Sequence, residues 1–362
     1  MKPIRHSRRQ AGFTLIELMI SLVLGLLVVA AAGGLFLTNR QVYAANETVN
    51  RMQESSRTAF ELMSRDIREA GATPCMTGLG NTVNMLTNAA GSALWQDYGR
   101  GLSGTDGANG DTLTLYSGTG SASMRITEHS DSSATLNVSS TAGIAEGDVL
   151  LACNPELSVI FMVTGVTDNG PGIEHDPVQG QAINGVSNAD SRFFFDNECL
   201  TNRVKGNTCH YCFVPKASNP NSGNSGGGSC GAKGRGPAVV ARLSGVRWEL
   251  RNNGRGSRSL YRVPLSLNSM AAATPVAGAE AEVAEGVTNM QLTYKMQGSN
   301  TYQDASSIAG DAWKNVEAVR MVLTLSGVQG AMSARDVQGT DGAVLTRTMT
   351  NTVAIRNREG VL

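Results

Sequence analysis

The stretch that decides the fold is Gly12-Phe13-Thr14-Leu15-Ile16-Glu17, which stands between a basic N-terminus and a long apolar segment. Residues 2–9 carry four Lys or Arg and no acid, and residues 18–37 are apolar apart from Ser21 and small glycines. At about 1.5 Å per residue this segment is long enough to cross a bilayer as a helix. Basic residues before an apolar span stay cytoplasmic, so we expect everything after about Arg40 to be exported.

Glu17 places a carboxylate near the start of a helix that is otherwise compatible with lipid. An ionised side chain at the centre of a membrane helix costs roughly 2.5 to 3.5 kcal/mol, so we expect Glu17 to have a partner. Snorkelling at the membrane edge is the alternative for this residue. An ordinary cleaved secretory signal is the alternative for the whole segment, with residues 30–32, all Ala, at its cleavage site.

The basic leader followed by Gly-Phe-Thr-Leu-Ile-Glu-Leu resembles the class III signal of type IV pilins and pseudopilins. The resemblance implies that a prepilin peptidase cuts after Gly12 and N-methylates the new first residue, Phe13. Methylation retains the ammonium charge, so in a filament Glu17 can accept charge-assisted hydrogen bonds from Phe13 of a neighbouring subunit. Residues 1–12 are then a cleaved leader, and the mature chain keeps 26 basic against 30 acidic residues.

Beyond Leu37 the apolar residues follow one face of a helix, at steps of three, four or seven positions. This seam comprises Val42, Ala45, Val49, Met52, Ala59, Met63, Ile67 and Ala70. Charged residues, among them Asp66, are assigned to the solvated face, and Gly71 with Pro74 ends the helix.

We therefore expect one helix over residues 13–70. Residues 13–38 form its transmembrane and assembly half, and residues 39–72 cover the amphipathic half that packs on the head. A dimeric coiled coil is the alternative for the seam, but polar Ser56 and the small alanines favour packing on a sheet.

Residues 73–362 are predicted to form a periplasmic globular head rich in strands and loops. Alternating runs at 112–116, 134–138, 149–166, 239–243, 246–251, 290–296 and 319–325 predict antiparallel strands. Residues 216–237 hold seven Gly and predict a long flexible loop. The expected fold class is α+β and pilin-like, in which a long N-terminal helix, transmembrane and then amphipathic, packs on an antiparallel-sheet head.

Two further regions extend the resemblance. The run Ser-Arg-Asp-Ile-Arg-Glu-Ala-Gly at 64–71 is similar to the helix end of the PilW-type minor pilins of type IV pilus assembly, and residues 316–323 and 352–358 are similar to that family's C-terminal strands. The resemblance implies a minor pilin that helps initiate the pilus and is incorporated at or near its tip. The alternatives are a type II secretion pseudopilin and a membrane-anchored periplasmic adhesive or ligand-binding protein.

The same resemblance implies where the chain lies and what it meets. We expect a single-pass inner-membrane protein with a periplasmic head, which later joins the pilus at the cell surface. Its implied partners are other minor pilins, the major pilin, the prepilin peptidase and the inner membrane. No nucleophile elbow or metal-ligand spacing accompanies His129, His175 and His210, which lie in polar, turn-like segments, so we predict no enzyme, cofactor or metal.

Six cysteines lie on the exported side: Cys75, Cys153, Cys199, Cys209, Cys212 and Cys230. In an oxidising compartment structural disulfides are the expectation, with fifteen possible connectivities. A redox pair at Cys209 and Cys212, or a zinc site that includes them, is the alternative.

Two clusters of charge could suggest ligands. The basic run Arg235, Arg242, Arg247, Arg251, Arg255, Arg258 and Arg262 has only Glu249 near it in sequence. We interpret these arginines as solvent-facing strand and turn positions, with contact to DNA phosphates as the alternative. Asp106, Asn109 and Asp111 resemble part of a calcium loop but lack its later Glu, so we interpret them as a plain turn.

Overall fold

The computed structural model describes residues 12–75, 82–88, 100–118, 123–130, 134–167, 170–177, 186–195, 198–199, 209–214, 232–233, 236–266, 274–276, 278–327 and 344–358. The chain divides into two compact units. The first comprises Met1–Met52 and Gly327–Leu345, and the second comprises Gln53–Ser326 and Thr346–Leu362.

One α-helix, α1 (Leu15–Arg68), forms the N-terminal part of the described chain. It is two residues shorter at each end than the predicted 13–70. Side chains over residues 15–37 are exposed, and this is the single described helix that is long and apolar enough to cross a membrane. Signal sequences pass the same test of length and composition.

The amphipathic seam is confirmed in the part of α1 that belongs to the second unit. Ala59, Met63 and Ile67 are fully buried there, and polar Ser56 is buried beside them. The Ser56 hydroxyl donates to the carbonyl of Gln53 at 2.8 Å, so its burial leaves no unpaired donor. Val42, a seam residue in the first unit, is 54% exposed.

The strands, in chain order, are β1 (Thr82–Asn84), β2 (Leu86–Asn88), β3 (Leu102–Thr105), β4 (Thr112–Ser117), β5 (Met124–Ser130), β6 (Thr135–Val138), β7 (Val149–Cys153), β8 (Ser158–Met162), β9 (Gly165–Thr167), β10 (Gly172–Glu174), β11 (Val186–Asn188), β12 (Tyr211–Cys212), β13 (Ala232–Lys233), β14 (Val239–Arg242), β15 (Ser244–Asn252), β16 (Arg258–Ser266), β17 (Thr274–Pro275), β18 (Ala281–Glu285), β19 (Val287–Met296), β20 (Tyr302–Gln303), β21 (Val316–Ser326) and β22 (Thr346–Ala354). Short 3-10 helices cover Ala305–Ser307, Gly310–Asn315 and Arg356–Arg358.

Three larger sheets build the head. The first has the order β1-β8-β7-β14-β5-β6-β10-β9, the second β17-β16-β15-β4-β3 with β18 also on β16, and the third β20-β19-β21-β22. The pairs β2 with β11 and β12 with β13 complete the described pairing. The α+β class, a long helix with a mainly antiparallel head, is therefore confirmed.

All seven predicted strand regions contain strands, with boundaries shifted by a few residues. Strands of the predicted regions pair with one another in antiparallel fashion, and two parallel pairs involve strands outside these regions, β1 with β8 and β12 with β13. The predicted run at 149–166 is β7, β8 and β9, with a turn at 154–157 in which the Asn154 side chain accepts from the N–H groups of Glu156 and Leu157. The predicted loop 216–237 contains β13, and most of it lies outside the described residues.

Candidate functional site

The N-terminal segment that contains the predicted cleavage point is exposed and is not helical. Gly12 and Phe13 lie outside the helix and are exposed, Phe13 to 83%. Leader residues 1–11 lie outside the described residues. A peptide bond in a non-helical, exposed segment can enter a peptidase without unfolding of the helix, so the geometry of Gly12 and Phe13 is compatible with cleavage between them.

Thr14 caps the start of α1. Its hydroxyl oxygen accepts from the Glu17 backbone N–H at 3.3 Å, and its carbonyl accepts from the same N–H at 3.1 Å. Glu17 lies in the first helical turn, where its carboxylate also interacts favourably with the helix dipole. Thr-Leu-Ile-Glu has the spacing of a capping box, a signal that our sequence analysis missed. Glu17 thus has a local role at the helix start, and its side chain is exposed in the isolated chain.

Asp66 joins the end of α1 to the second sheet. Its carboxylate accepts from the indole N–H of Trp248 at 3.0 Å and from the Arg262 guanidinium at 2.8 and 3.2 Å. Trp248 lies on β15 and is fully buried, while the Asp66 side chain is only 12% exposed. Two donors from neighbouring strands therefore hold one helical carboxylate, and such charge-assisted hydrogen bonds are stronger than neutral ones.

The assignment of Asp66 to the solvated helix face was wrong. Asp66 is three residues after Met63 and four before Ala70, and both of these are buried. Residues at these spacings share a helix face, so the spacing was the signal that could have found the contact.

After the end of α1, the backbone at Gly71 lies close to the backbone of β4 and of Gly101. Gly71 has a positive φ of 70°, and its N–H donates to the carbonyl of Tyr116 on β4 at 2.8 Å. A Cβ on Gly101, which also has a positive φ, would lie 2.9 Å from the Cα of Gly71. The predicted glycine end of the helix is therefore confirmed, and a second glycine permits the contact.

Arg358, near the C-terminus, is hydrogen-bonded to three backbone carbonyls. It donates to the carbonyl of Val316 at 2.9 Å and also bonds the carbonyls of Trp313 and Arg100. Burial lowers the pKa of this guanidinium to about 10. The resemblance pointed to strands over 352–358, but β22 ends at Ala354 and residues 356–358 form a 3-10 turn. That turn brings Arg358 to its carbonyl partners.

The five described cysteines are oxidised, which agrees with the prediction of disulfides. Cys75 pairs with Cys153 and Cys199 pairs with Cys209, and Cys212 is disulfide-bonded as well. Cys230 lies outside the described residues. The redox alternative is not supported, because Cys209 is bonded to Cys199 and not to Cys212. Within the described ranges no group of three or more His, Cys, Asp or Glu could hold a metal ion.

Five of the seven arginines in the run form ion pairs, three of them with acids from outside residues 235–262 and Arg247 with Glu249 alone, while Arg251 pairs with acids of both kinds. Arg242 pairs with Asp148, Arg251 with Glu249 and Glu280, Arg255 with Glu282 and Glu285, and Arg262 with Asp66. Arg247 lies 4.0 Å from Glu249, and Arg258 donates to the carbonyl of Thr288. Arg235 lies outside the described residues. The fold brings acids to arginines that have only Glu249 near them in sequence. The alternative that these arginines contact DNA phosphates therefore gains no support.

The acidic turn is a structural element. Asp106 accepts from the N–H groups of Ala305 and Ser306 at 3.0 and 2.8 Å, and Asp111 accepts from those of Gly107 and Leu292 at 3.0 and 2.6 Å. Burial raises the pKa of Asp111. Backbone donors occupy these carboxylates, in accord with the plain-turn interpretation.

The histidines are the clearest failure of the sequence-based interpretation. His129, His175 and His210 are buried and do not lie in exposed turns. His175 stacks on Phe193 with ring centroids 4.2 Å apart, and His129 lies 5.6 Å from His175. Burial lowers the pKa of His129 to about 3 and lowers that of His175 as well. Both imidazoles are therefore neutral parts of an aromatic core at physiological pH.

Comparison with known proteins finds two matching family models and a similar solved structure. Residues 7–33 match the prokaryotic N-terminal methylation motif, and residues 248–358 match the type IV pilus-assembly protein W family. A solved structure, the type IV-like pilin TTHA1219 from Thermus thermophilus, is similar at 10% identity with a TM-score of 0.31, over 85% of this chain and 97% of that one. No curated protein matches the chain.

The matched methylation motif thus covers the predicted cleavage point and the first part of the exposed apolar helix. The region that is similar to the type IV pilus-assembly protein W family lies mostly in the second unit. The matched region contains Trp248, Arg262 and Arg358. It therefore includes the two strand residues that donate to Asp66 in the contact between helix and sheet, here called the Asp66 junction. The resemblance to the PilW family and to the prepilin methylation motif, predicted from the sequence, is confirmed by these two matches.

Proposed function

We propose that this protein is a minor pilin that helps initiate the type IV pilus with other minor pilins and the major pilin, and that it lies at or near the tip. The observation that carries the proposal is the first part of α1. Over residues 15–37 its apolar side chains are exposed, and a carboxylate stands in its first turn. Such a surface is stable only in lipid or against other apolar helices.

The proposal assigns separate roles to the three N-terminal residues. A prepilin peptidase cuts after Gly12 and methylates Phe13, which then carries a positive charge at the start of the helix. In the filament, Glu17 pairs with the methylated Phe13 of a neighbour, and this pair offsets the burial of both charges. The matched methylation motif at 7–33 contains all three residues and supports this assignment.

The location follows from the same features. The mature subunit spans the inner membrane once, holds its head in the periplasm and moves into the pilus on assembly. The oxidised cysteines agree with an exported head. The Asp66 junction would pass force between helix and head through charge-assisted hydrogen bonds.

The experiment is to replace Glu17 by Leu in cells that lack the native copy and to count surface pili. Glu17→Leu makes the segment more compatible with lipid, so insertion, processing and folding should remain normal. Piliation should fall at least tenfold, because the neighbour's Phe13 ammonium loses its partner in a medium of low dielectric constant.

Thr14→Ala is the matched control. It removes the helix cap, which typically contributes about 1 kcal/mol, but keeps the acid. Pilus numbers should stay within about twofold of wild type. A loss as large as that of Glu17→Leu would assign the effect to helix capping, and normal piliation with Glu17→Leu would refute the assembly role.

A further inference from the structure

Strand β22 is a long, regular edge. It pairs with β21 through nine consecutive residue pairs, from Ala318 with Ala354 to Ser326 with Thr346, without a register shift. Among the residues described, no strand lies on its other side. The other outer strands of the three larger sheets have two to five residues. β22 is therefore the longest edge that the described sheets leave open.

The outward backbone groups of this edge can be identified. The N–H of Ile355 donates to the carbonyl of Glu317 at 2.8 Å, so odd-numbered residues face β21. By antiparallel alternation, the N–H and C=O groups of the even-numbered residues point outward, and these residues are Thr346, Thr348, Thr350, Thr352 and Ala354. They supply a row of backbone donors and acceptors spaced for another strand.

One local contact confirms this direction. The N–H of Thr352 donates to the side-chain oxygen of its neighbour Asn351 at 2.8 Å. Such a bond requires that the Thr352 N–H does not face β21. It also covers one outward donor, while the N–H groups of Thr346, Thr348 and Thr350 have no protein partner in the described ranges.

Within residues 346–354, most of the features that protect an edge strand are missing, and a single charged side chain is present. Natural edge strands are shortened, bulged, or broken by Pro or inward-pointing charge. β22 contains no Pro, its register is regular, and its one charged residue, Arg347, is exposed. The Thr side chains at even positions are exposed on one face, and Thr is favoured in strands. An extended peptide can pair with this edge at little conformational cost.

We propose that β22 accepts an extended segment of a different subunit of the filament by strand addition along Thr346–Ala354. The segment carries small or β-branched residues against the threonine row and an acid beside Arg347. This inference rests on the proposed pilin function, because helix packing in a filament raises the local concentration of neighbouring heads.

The charge of β22 argues against a second copy of the same strand as the occupant. Residues 346–354 contain Arg347 and no acid, so a copy of β22 supplies no partner for that guanidinium. A strand from a different subunit that contains an acid can pair with the outward backbone groups of β22 and also supply a partner for Arg347.

The experiment compares Thr350→Pro with Thr350→Val in the full-length chain. Proline removes the outward N–H of residue 350, which the β21 ladder does not use, and its backbone suits an edge strand. Valine keeps the N–H and changes the side chain alone. Recovery of the subunit in sheared pili should fall three- to tenfold for Thr350→Pro and stay within twofold of wild type for Thr350→Val. Equal recovery of the two variants overturns strand addition.

A second measurement keeps the test decisive if proline lowers the stability of the head. A photo-cross-linking amino acid at the exposed Thr348 position should capture a different filament subunit in piliated cells, with the linked peptide containing an acid. Absence of a cross-link, or a cross-link to copies of this chain alone, overturns the inference.

Glu17→Leu in the same strain distinguishes failure of the proposed function from failure of strand addition at β22. If it abolishes incorporation while Thr350→Pro does not, the proposed function stands and strand addition fails. If it leaves incorporation unchanged, the proposed function fails whatever β22 does.

Discussion

The carboxylate of Asp66 accepts a hydrogen bond from the buried indole of Trp248 at 3.0 Å. Arg262 adds a second bond to the same carboxylate oxygen and a third to the other. The end of the helix is thus held to the second sheet by one side chain, and this arrangement leads to the first prediction.

Asp66→Ala should lower the free energy of unfolding of the second unit by about 2 to 3 kcal/mol, because it leaves a buried indole N–H and a half-buried guanidinium without an acceptor. Asp66→Asn keeps one acceptor oxygen and should cost about half as much. Denaturant unfolding of the detergent-solubilised chain, followed by tryptophan fluorescence, measures both.

Glu69→Ala is the control for Asp66. Glu69 pairs at 3.5 Å with Arg65, whose side chain is 74% exposed, so its loss should cost no more than about 0.5 kcal/mol. A cost for Asp66→Ala as small as that for Glu69→Ala would show that the junction does not hold the helix.

N-terminal sequencing of the mature protein should begin at N-methylated Phe13, because Gly12 and Phe13 form an exposed, non-helical segment before α1. Gly12→Ala should leave an uncut precursor in the membrane. Gly33→Ala is the matched control, since its new Cβ meets no atom within 4 Å and should leave cleavage unchanged. A mature chain that begins near Ala32 would identify an ordinary secretory signal.

The two disulfides should contribute unequally to stability. The bond between Cys75 and Cys153 closes a sequence separation of 78 residues, and that between Cys199 and Cys209 one of 10. Chain entropy predicts losses of about 4.5 and about 2.7 kcal/mol for the respective double Ser variants.

Peptide mapping without reduction should recover both linkages, and denaturant unfolding should rank the double Ser variants in this order. Free thiols at these four positions in protein from the periplasmic side would contradict the assignment, and so would the reverse order of stability.

The buried histidines should make the head sensitive to acid. The pKa of His129 is lowered to about 3 and that of His175 is also lowered, so the folded state binds fewer protons than the unfolded state below an ordinary pKa of about 6.5. The free energy of unfolding should be unaffected by these groups above that pH. It should then fall by up to about 1.4 kcal/mol per pH unit for each imidazole as the pH decreases toward 3.

His175→Phe tests this contribution. Both ring nitrogens of His175 lack a hydrogen-bond partner and the ring stacks on Phe193, so Phe should be tolerated and should reduce the histidine part of the acid slope by about half. Denaturant midpoints at pH 7 and pH 5 measure the change. An unchanged slope would mean that His175 does not remain neutral in the folded state.

Much of the fold followed from periodicity. The apolar segment after the implied cleavage point and the 3.6-residue seam together predicted α1 to within two residues at each end. Alternation predicted strands such as β15, where Trp248 is buried as expected for one face of the run. Several strands escaped detection. In β22 the even-numbered side chains are exposed, but the odd-numbered positions include Arg347 and Asn351 besides Met349 and Val353, so the sequence lacks a clear apolar alternation.

By itself, the sequence determined the properties that depend on local order along the chain. These are the basic segment before Gly12, the apolar helix, the acid at Glu17 and the glycine end at Gly71. Tertiary structure alone decided which distant groups meet. It paired Cys75 with Cys153, placed acids beside the arginine run, buried His129 and His175 among aromatic rings and left β22 without an outer neighbour among the described strands. The physical reason is that hydrogen bonds, ion pairs and burial depend on distance in space, whereas periodicity records which side of an element faces inward but not what it faces.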